Sequence, residues 1–427
     1  MTETHVLTAS AAAEMNTRLQ ALGQEFVALT ASGDYAAAQR VNAQALALAP
    51  QHPHIVGDAG LCHLRLGDYT QARQRYAQAC ALAPQDTNLW DGLTEACGHL
   101  GLMDEVRQHG MKALTLKDEQ AQVQAHAQAP LPISLQAVLP DHAPPPLSND
   151  ASRNVLAFSL FGDQPRYGET AMLNVLVAQQ LMPQWTCRFY VDETVPPAVC
   201  ARLRHVGAQV LLVDAQDRAQ LSGLMWRFLV LQDPGVDRFL LRDADSLIST
   251  REVAAVQAWL ASDRWFHVMR DYFTHTELLL AGMWGGCGGV FRGVRESMAE
   301  YITHGHYLGQ RVVDQHYLRQ HIWPTVRQSV LSHDSIFGFM QGQDFPPHAP
   351  HQMGDRFHVG CNLSSASIGA DSTLPDGQRV HWTLKNEIDQ DICSYATLVR
   401  AGHWRVELPQ PYIDQIQAGR WRVVVAA

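Results

Sequence analysis

Lysine is almost missing from this 427-residue chain: Lys112, Lys117 and Lys385 are the only ones among 32 basic residues. With 42 acidic residues the formal net charge is −10. That excludes the broadly basic surface that binds nucleic acid non-specifically, but not a local basic pocket. Arginine suits phosphate recognition, yet a chain-wide shortage of lysine is more simply a matter of genome composition, so by itself it assigns no function. No stretch approaches the ~18 consecutive apolar residues of a membrane-spanning helix. Met1-Thr2-Glu3-Thr4-His5 lacks a basic segment leading into an apolar one, so no secretory signal is expected. The eight cysteines include no Cys-x-x-Cys pair and no zinc-like spacing, which reads as buried thiols in a reducing compartment. A soluble, cytoplasmic protein of two or three domains is expected, each large enough to bury a core without staples.

What is present begins with a repeat. Gly33-Asp34-Tyr35 recurs as Gly67-Asp68-Tyr69 and, degraded, as Gly101-Leu102-Met103, and Pro50 and Pro84 keep the same 34-residue interval. Ala38, Ala72 and Val106 share one phase, as do Ala45, Ala79 and Ala113. Glycine permits a turn between two helices, the small residues let the helices approach, and proline ends the second helix. Over residues 19–118 this pattern resembles the tetratricopeptide repeat. The resemblance implies a helical solenoid at residues 1–118 whose groove takes a peptide or protein partner. The alternative is an array that only docks on its neighbour or forms a dimer. Residues 119–150 replace the pattern with glutamine and then proline, and read as a linker or a strap over a surface.

From Asn154 onward the period changes to strands alternating with helices, the mark of a mostly parallel wound sheet in an α/β domain over residues 151–345. Its focus is Phe239-Leu240-Leu241-Arg242-Asp243-Ala244-Asp245: an apolar strand that ends in two carboxylates, with a helix cap following at Ser249 or Thr250. Carboxylates at the carboxyl edge of such a sheet lie where these sheets bind ligands, and their oxygens suit Mg²⁺ or Mn²⁺, which hold diphosphates. Taken alone, an Asp-x-Asp is more often a cap or a solvated turn. Its setting here, with the first strand ending at Phe161-Gly162-Asp163 and with Asp314-Gln315 and His333-Asp334-Ser335 downstream, resembles the Asp-x-Asp nucleotide-sugar glycosyltransferases of the GT-A fold, which include bacterial capsule and lipopolysaccharide enzymes.

That resemblance implies a metal-dependent transfer of a hexose from a nucleoside diphosphate sugar, a UDP-sugar favoured, to a protein or surface glycan. It places the metal on Asp243 and Asp245, with His333 either a further ligand or a structural residue. Phe161, Arg166 and Tyr167 then hold the nucleotide, and Arg227 and Arg242 stand near its phosphates. Trp226 and Phe228 read as core. Asp271 or Asp314 would supply a catalytic base if the enzyme inverts, although the likeness leans to retention. Gly282-Met283-Trp284-Gly285-Gly286-Cys287-Gly288-Gly289 has five glycines in eight residues. It lacks the ending of a phosphate-binding loop, and either shapes the sugar and acceptor pocket through Trp284, Gly285, Gly286 and Gln315 or makes a tight turn. Residues 346–427 read as loops that could cover the donor site and then a small β-rich extension. Two rival readings stand beside the transferase: a non-catalytic repeat scaffold with a degenerate transferase domain, and a nucleotidyltransferase. Against the latter, no glycine-rich loop with a following Arg and Lys succeeds the first strand.

Overall fold

The computed structural model describes residues 2–126, 134–305, 312–350, 357–364 and 366–425. Gln128, Pro130 and Pro132 of the proline-rich segment, and part of the loop region after residue 350, lie outside the described residues. The chain forms two compact units.

The first unit comprises Met1–Gln122 with two excursions from later in the chain, Tyr272–Leu278 and Ile336–Gln341. Six helices make three hairpins: α1 (Thr2–Ala31), α2 (Tyr35–Leu48), α3 (Pro53–Arg65), α4 (Tyr69–Leu82), α5 (Thr87–His99) and α6 (Met103–His126). Gly33, Gly67 and Gly101 all adopt positive φ at the turns, which the repeat period anticipated. Asp34 and Asp68 then cap the helices that follow, accepting from the backbone N–H of Ala37 and Gln71. The helical domain outruns its expected end at residue 118. A proline terminates the first two repeats, but Asp118 occupies that position in the third, so α6 continues to His126.

The two excursions pack on the third hairpin. A Cβ on Gly98 would lie 2.2 Å from the Phe273 ring, and one on Gly110 would lie 2.1 Å from the Phe337 ring. These glycines therefore serve close packing rather than flexibility. Lys117, one of the three lysines, is buried and donates to Asp91 Oδ2 at 2.7 Å and to the Thr276 carbonyl at 2.9 Å, with Glu277 at 3.6 Å. Cys97, Glu105 and His109 also gather here. Glu105, however, already accepts both arms of Arg73 at 2.8 and 2.9 Å, a guanidinium filling the role a metal cation would have.

The second unit holds the rest of the chain. The strap reading of the proline-rich segment is visible as β1 (Gln136–Ala137). Then come β2 (Asn154–Leu160), α7 (Pro165–Leu181), β3 (Thr186–Val191), α8 (Pro197–His205), β4 (Gln209–Leu212), α9 (Ala215–Gln220), a 3₁₀ segment (Gly223–Gln232), β5 (Arg238–Arg242) and α10 (Thr250–Leu260). These follow the alternation expected from sequence, and Ser249 is the cap of α10, forming a reciprocal capping box with Glu252. Next are β6 (Phe266–Arg270), β7 (Met283–Cys287), β8 (Phe291–Arg292), α11 (Val294–Gly305), α12 (Val313–Tyr317), α13 (Trp323–Val326) and β9 (Val330–Asp334). The main sheet has the order β4-β3-β2-β5-β7-β6-β9, parallel except for β7, which runs antiparallel to both neighbours. The strap strand β1 pairs with β8.

The middle of the glycine-rich stretch, Met283–Cys287, is this antiparallel strand, and Gly282, Gly288 and Gly289 lie in the turns at its ends. A Cβ on Gly285 would meet Phe239 O at 2.6 Å, and one on Gly286 would meet the Phe266 ring at 2.5 Å. Glycine is what lets β7 slot between β5 and β6. The C-terminal extension is a five-stranded antiparallel sheet built from β10 (Ala366–Asp371), β11 (Arg379–Lys385), β12 (Asp391–Arg400), β13 (His403–Leu408) and β14 (Arg422–Val425), with α14 (Gln410–Gln417) before its last strand. Its order is β10-β13-β12-β11-β14. It is tied to α7 through the fully buried Glu169, which accepts both arms of Arg202 at 2.7 and 2.8 Å, Tyr395 Oη at 2.6 Å and Tyr412 Oη at 3.2 Å. Gly168 leaves room for Tyr395 beside the helix.

Candidate functional site

Strands β2 and β5 are neighbours whose connections leave in opposite directions, β2 toward β3 and β4, β5 toward β7 and β6. A reversal of this kind opens a crevice beyond the carboxyl ends of the two strands. A cavity of about 130 Å³ lies there, lined by Phe161 and Tyr167 after β2, Arg227 from the 3₁₀ segment, and Asp243 and Asp245 after β5. Phe161 is 40% exposed, its ring held edge-on by the buried Trp226 at 5.7 Å. Trp226 and Phe228 are core residues, as expected from sequence.

Arg227 organises the charges. Fully buried, it donates through one terminal nitrogen to Asp243 Oδ1 and to the Arg242 carbonyl at 3.0 Å, and through the other to Asp314 Oδ2 at 3.1 Å. Burial alone would lower its pKa, but the two carboxylates hold it above the usual arginine value. Asp314, on α12, is raised by burial against the pull of Arg227, and the Gln315 backbone N–H donates to its other oxygen at 2.9 Å. On the far side of Asp243, a Cβ on Gly282 would lie 2.2 Å from Oδ2, so any other residue there displaces the carboxylate. Asp245 has a different environment. Burial first, and the charge of Asp243 second, push its pKa up to about 6, with Arg166 and Arg227 opposing. Its carbonyl accepts the Leu363 N–H at 2.8 Å, and Ser246 bridges to Asn362. The segment after residue 356 therefore packs against the Asp-x-Asp turn.

Two carboxylates stand beside one small cavity, Asp243 with one oxygen held by Arg227 and Asp245 raised by burial and then by the charge of Asp243, and carboxylate oxygens are the ligand type that hard divalent cations such as Mg²⁺ or Mn²⁺ take. Asp243 and Asp245 fit that group.

Other sequence candidates lie elsewhere. Arg242 is on β5, buried, 2.7 Å from Glu252 of the α10 capping box. It balances a helix cap instead of facing the cavity. Asp271 follows β6 directly and is bound by Arg251 at 2.6 Å and by the Val359 N–H at 3.1 Å. Trp284 is completely buried in β7, edge-on to Phe239 at 5.4 Å, and so presents no face to a sugar. Gly285 and Gly286 are buried with it. His333 is not brought to Asp243 and Asp245. It sits on β9, separated from β5 by β7 and β6, and shares a 2.8 Å hydrogen bond with His267. The sequence reading did not single out Gly282 among the five glycines. Nor did it single out His267, whose partnership with His333 joins neighbouring strands 66 residues apart in sequence with no local signal.

Burial pushes His333 down to about 4 and holds His267 well below the usual histidine value, the latter helped by His333 and Arg242. The unfolded chain therefore takes up protons that the folded chain refuses. Stability that is complete above pH 6.5 is lost as pH falls toward 4, by roughly 3 kcal/mol for His333 alone. Urea unfolding at a series of pH values is expected to show this decline for the second unit. A His267→Leu/His333→Leu variant is expected to flatten it, and an unchanged slope would remove this pair as its source.

The tetratricopeptide repeat family matches residues 29–97. No curated protein matches the chain significantly. Among solved structures, the second TPR domain of human RPAP3, in complex with an HSP70 peptide, is 17% identical and covers 24% of this chain and 85% of its own, with a TM-score of 0.23. The type III secretion chaperone SycD of Yersinia enterocolitica, in complex with a peptide of the translocator YopD, is 18% identical over 25% of this chain and 87% of its own, with a TM-score of 0.23. MamA from Desulfovibrio magneticus RS-1 is 26% identical over 25% of this chain and 61% of its own, with a TM-score of 0.23. The family match and the helical hairpins show tetratricopeptide repeats at the N-terminus, a module suited to protein–protein interaction. Among the described residues, no helix is long and apolar enough to cross a membrane.

Proposed function

We propose that the second unit is a metal-dependent glycosyltransferase using a nucleoside diphosphate sugar, and that the repeats recruit a protein partner or the acceptor. The observation that carries the reading is the cavity at the β2/β5 crevice, where an exposed aromatic, an arginine and two carboxylates converge. Phe161 and Tyr167 offer ring faces to a base, and Asp243 and Asp245 would hold Mg²⁺ or Mn²⁺. When bound, the cation supplies charge neutralisation to a departing diphosphate. The chain's own residues fix the geometry: Arg227 and Gly282 lock Asp243 in one position, and the Asn362–Leu363 bridge fixes the backbone of Asp245. Both candidate bases are paired with an arginine, Asp314 with Arg227 and Asp271 with Arg251, and Asp314 is the one whose arginine also holds Asp243 beside the cavity.

The test is turnover. With Mn²⁺ and a panel of UDP-, GDP-, ADP- and dTDP-sugars, slow release of the nucleoside diphosphate is expected for one base, falling at least about 100-fold in Asp245→Asn. Absence of release from every donor, with or without a cell-wall extract as acceptor, would favour the scaffold reading, in which the repeats alone act. Consumption of a sugar phosphate with a nucleoside triphosphate would instead identify a nucleotidyltransferase.

A further inference from the structure

Strands β12 and β13 pair only through Val399↔Trp404 and Arg400↔His403, and then part. The start of α7 lies at the opening, leaving a groove of about 700 Å³ whose walls carry Arg166, Arg379, Arg400, His403 and Arg405. Two carboxylates line it as well. Asp163 takes Arg379 at 2.8 Å and Glu407 takes Arg166 at 2.7 Å. Arg400 and Arg405 have no carboxylate partner among the described residues; Arg405 Nε donates to Ser367 Oγ at 2.6 Å. A chain with a net charge of −10 thus gathers four guanidiniums in one concavity and leaves two of them unneutralised.

The groove has two continuations. On one side, Asp163, Arg379 and Ala396 also line a second hollow of about 450 Å³, whose wall is hydroxyl-bearing, with Thr383 Oγ1 and Ser394 Oγ 2.8 Å apart. On the other, Arg166 is followed directly by Tyr167, which lines the Asp243–Asp245 cavity, and the charge of Arg166 acts on Asp245. An occupant of the groove would therefore have one end beside the proposed transfer site. The volume falls within the ~300–1,000 Å³ that takes a ligand of several rings.

We infer that this groove binds the acceptor, and that the acceptor is an acidic oligosaccharide whose carboxylates or phosphates pair with Arg400 and Arg405. The inference rests on the transferase reading. Exposed arginines matched to anionic groups give the charge complementarity, the hydroxyl-lined continuation suits further sugar rings, and the shared first turn of α7 supplies the position.

The experiment is calorimetric titration of the full chain at low salt with three probes: oligogalacturonate as the carboxylate-bearing saccharide, phosphorylated maltooligosaccharide as the phosphate-bearing one, and neutral maltooligosaccharide. Polyglutamate of equal charge is added to test for an acidic peptide, and donor with Mn²⁺ is titrated in parallel. Saturable binding of one acidic saccharide is expected, weakening with salt and about tenfold weaker in each of Arg400→Glu and Arg405→Glu. Both side chains are exposed, so these variants should fold, and donor binding reports that they have. Failure of both acidic saccharides while donor binds overturns the inference and leaves the transferase. Equal binding by polyglutamate, or indifference to the charge reversals, overturns it too. Acidic-saccharide binding without any donor binding would sustain the groove and overturn the transferase reading.

Discussion

Replacing Arg227 with methionine is expected to cost the second unit about 3–5 kcal/mol, because the guanidinium is the cation that two carboxylates share. Methionine roughly matches the apolar stem, so the loss is not one of packing. It leaves Asp314, itself buried, and Asp243 without their common partner. The buried Asp314 then faces a second carboxylate with no cation between them, and it must take up a proton or draw in water. Melting should drop on the order of 10 °C at neutral pH. The deficit should shrink in acid, where the buried Asp314 is protonated. Arg227→Lys should rescue little, since the shorter, compact ammonium does not reproduce the planar fork whose two terminal nitrogens reach Asp243 and Asp314 in different directions. In a double-mutant cycle, Arg227→Met with Asp314→Asn should cost less than the sum of the singles. Strict additivity would mean that the ion pair carries no coupling, and the site would have lost its organising residue.

The second large effect belongs to the repeats. Lys117→Met should cost about 3–5 kcal/mol in the first unit by leaving Asp91 and Glu277 facing one another around an empty charge. Burial already raises Asp91, with Lys117 as the main opposing influence. Removing Lys117 therefore favours the protonated acid, and the variant should regain stability as pH falls. Because Thr276 and Glu277 belong to an excursion 159 residues or more away in sequence, the same variant should expose Tyr272–Leu278 to protease before the helices melt. Loss of stability without earlier cleavage there would show that the excursion is held by Phe273 against Gly98 alone.

Where local pattern carries the information, the fold was legible. The repeat interval and the glycine turns placed the hairpins, and the apolar run ending in Asp243 and Asp245 placed a strand edge at the cavity. The expectation faltered where a residue's role depends on a distant neighbour. Glycines in β7 read as a ligand pocket or a tight turn because nothing in the local sequence reveals that Leu240 and the Phe239 carbonyl crowd Gly285 while the rings of Phe239 and Phe266 crowd Gly286. Arg242 looked like a phosphate ligand from its place beside the aspartates, but its partner is a helix-capping glutamate ten residues on. His333 looked like one ligand among 21 histidines and instead has another histidine as its neighbour. The β-rich character of the C-terminal extension was also legible in places. The buried Cys393, Tyr395 and Val399 of β12 alternate with more exposed residues, a period-two pattern that announces a strand. The weaker β10, rich in small residues, gave no such signal.

The measurement closest to the central claim is a thermal-shift titration of the wild type and Asp245→Asn with Mn²⁺ and the four classes of nucleotide sugar. At a hundred times the dissociation constant, a donor adds about 2.7 kcal/mol to the unit that binds it. The account predicts such a rise for one nucleotide class, dependent on Mn²⁺ and absent in Asp245→Asn. It also predicts that the rise shrinks progressively as pH falls below about 6, where protons compete with the cation for Asp245. A folded wild type that no donor stabilises, or a rise that Asp245→Asn leaves intact, would contradict it.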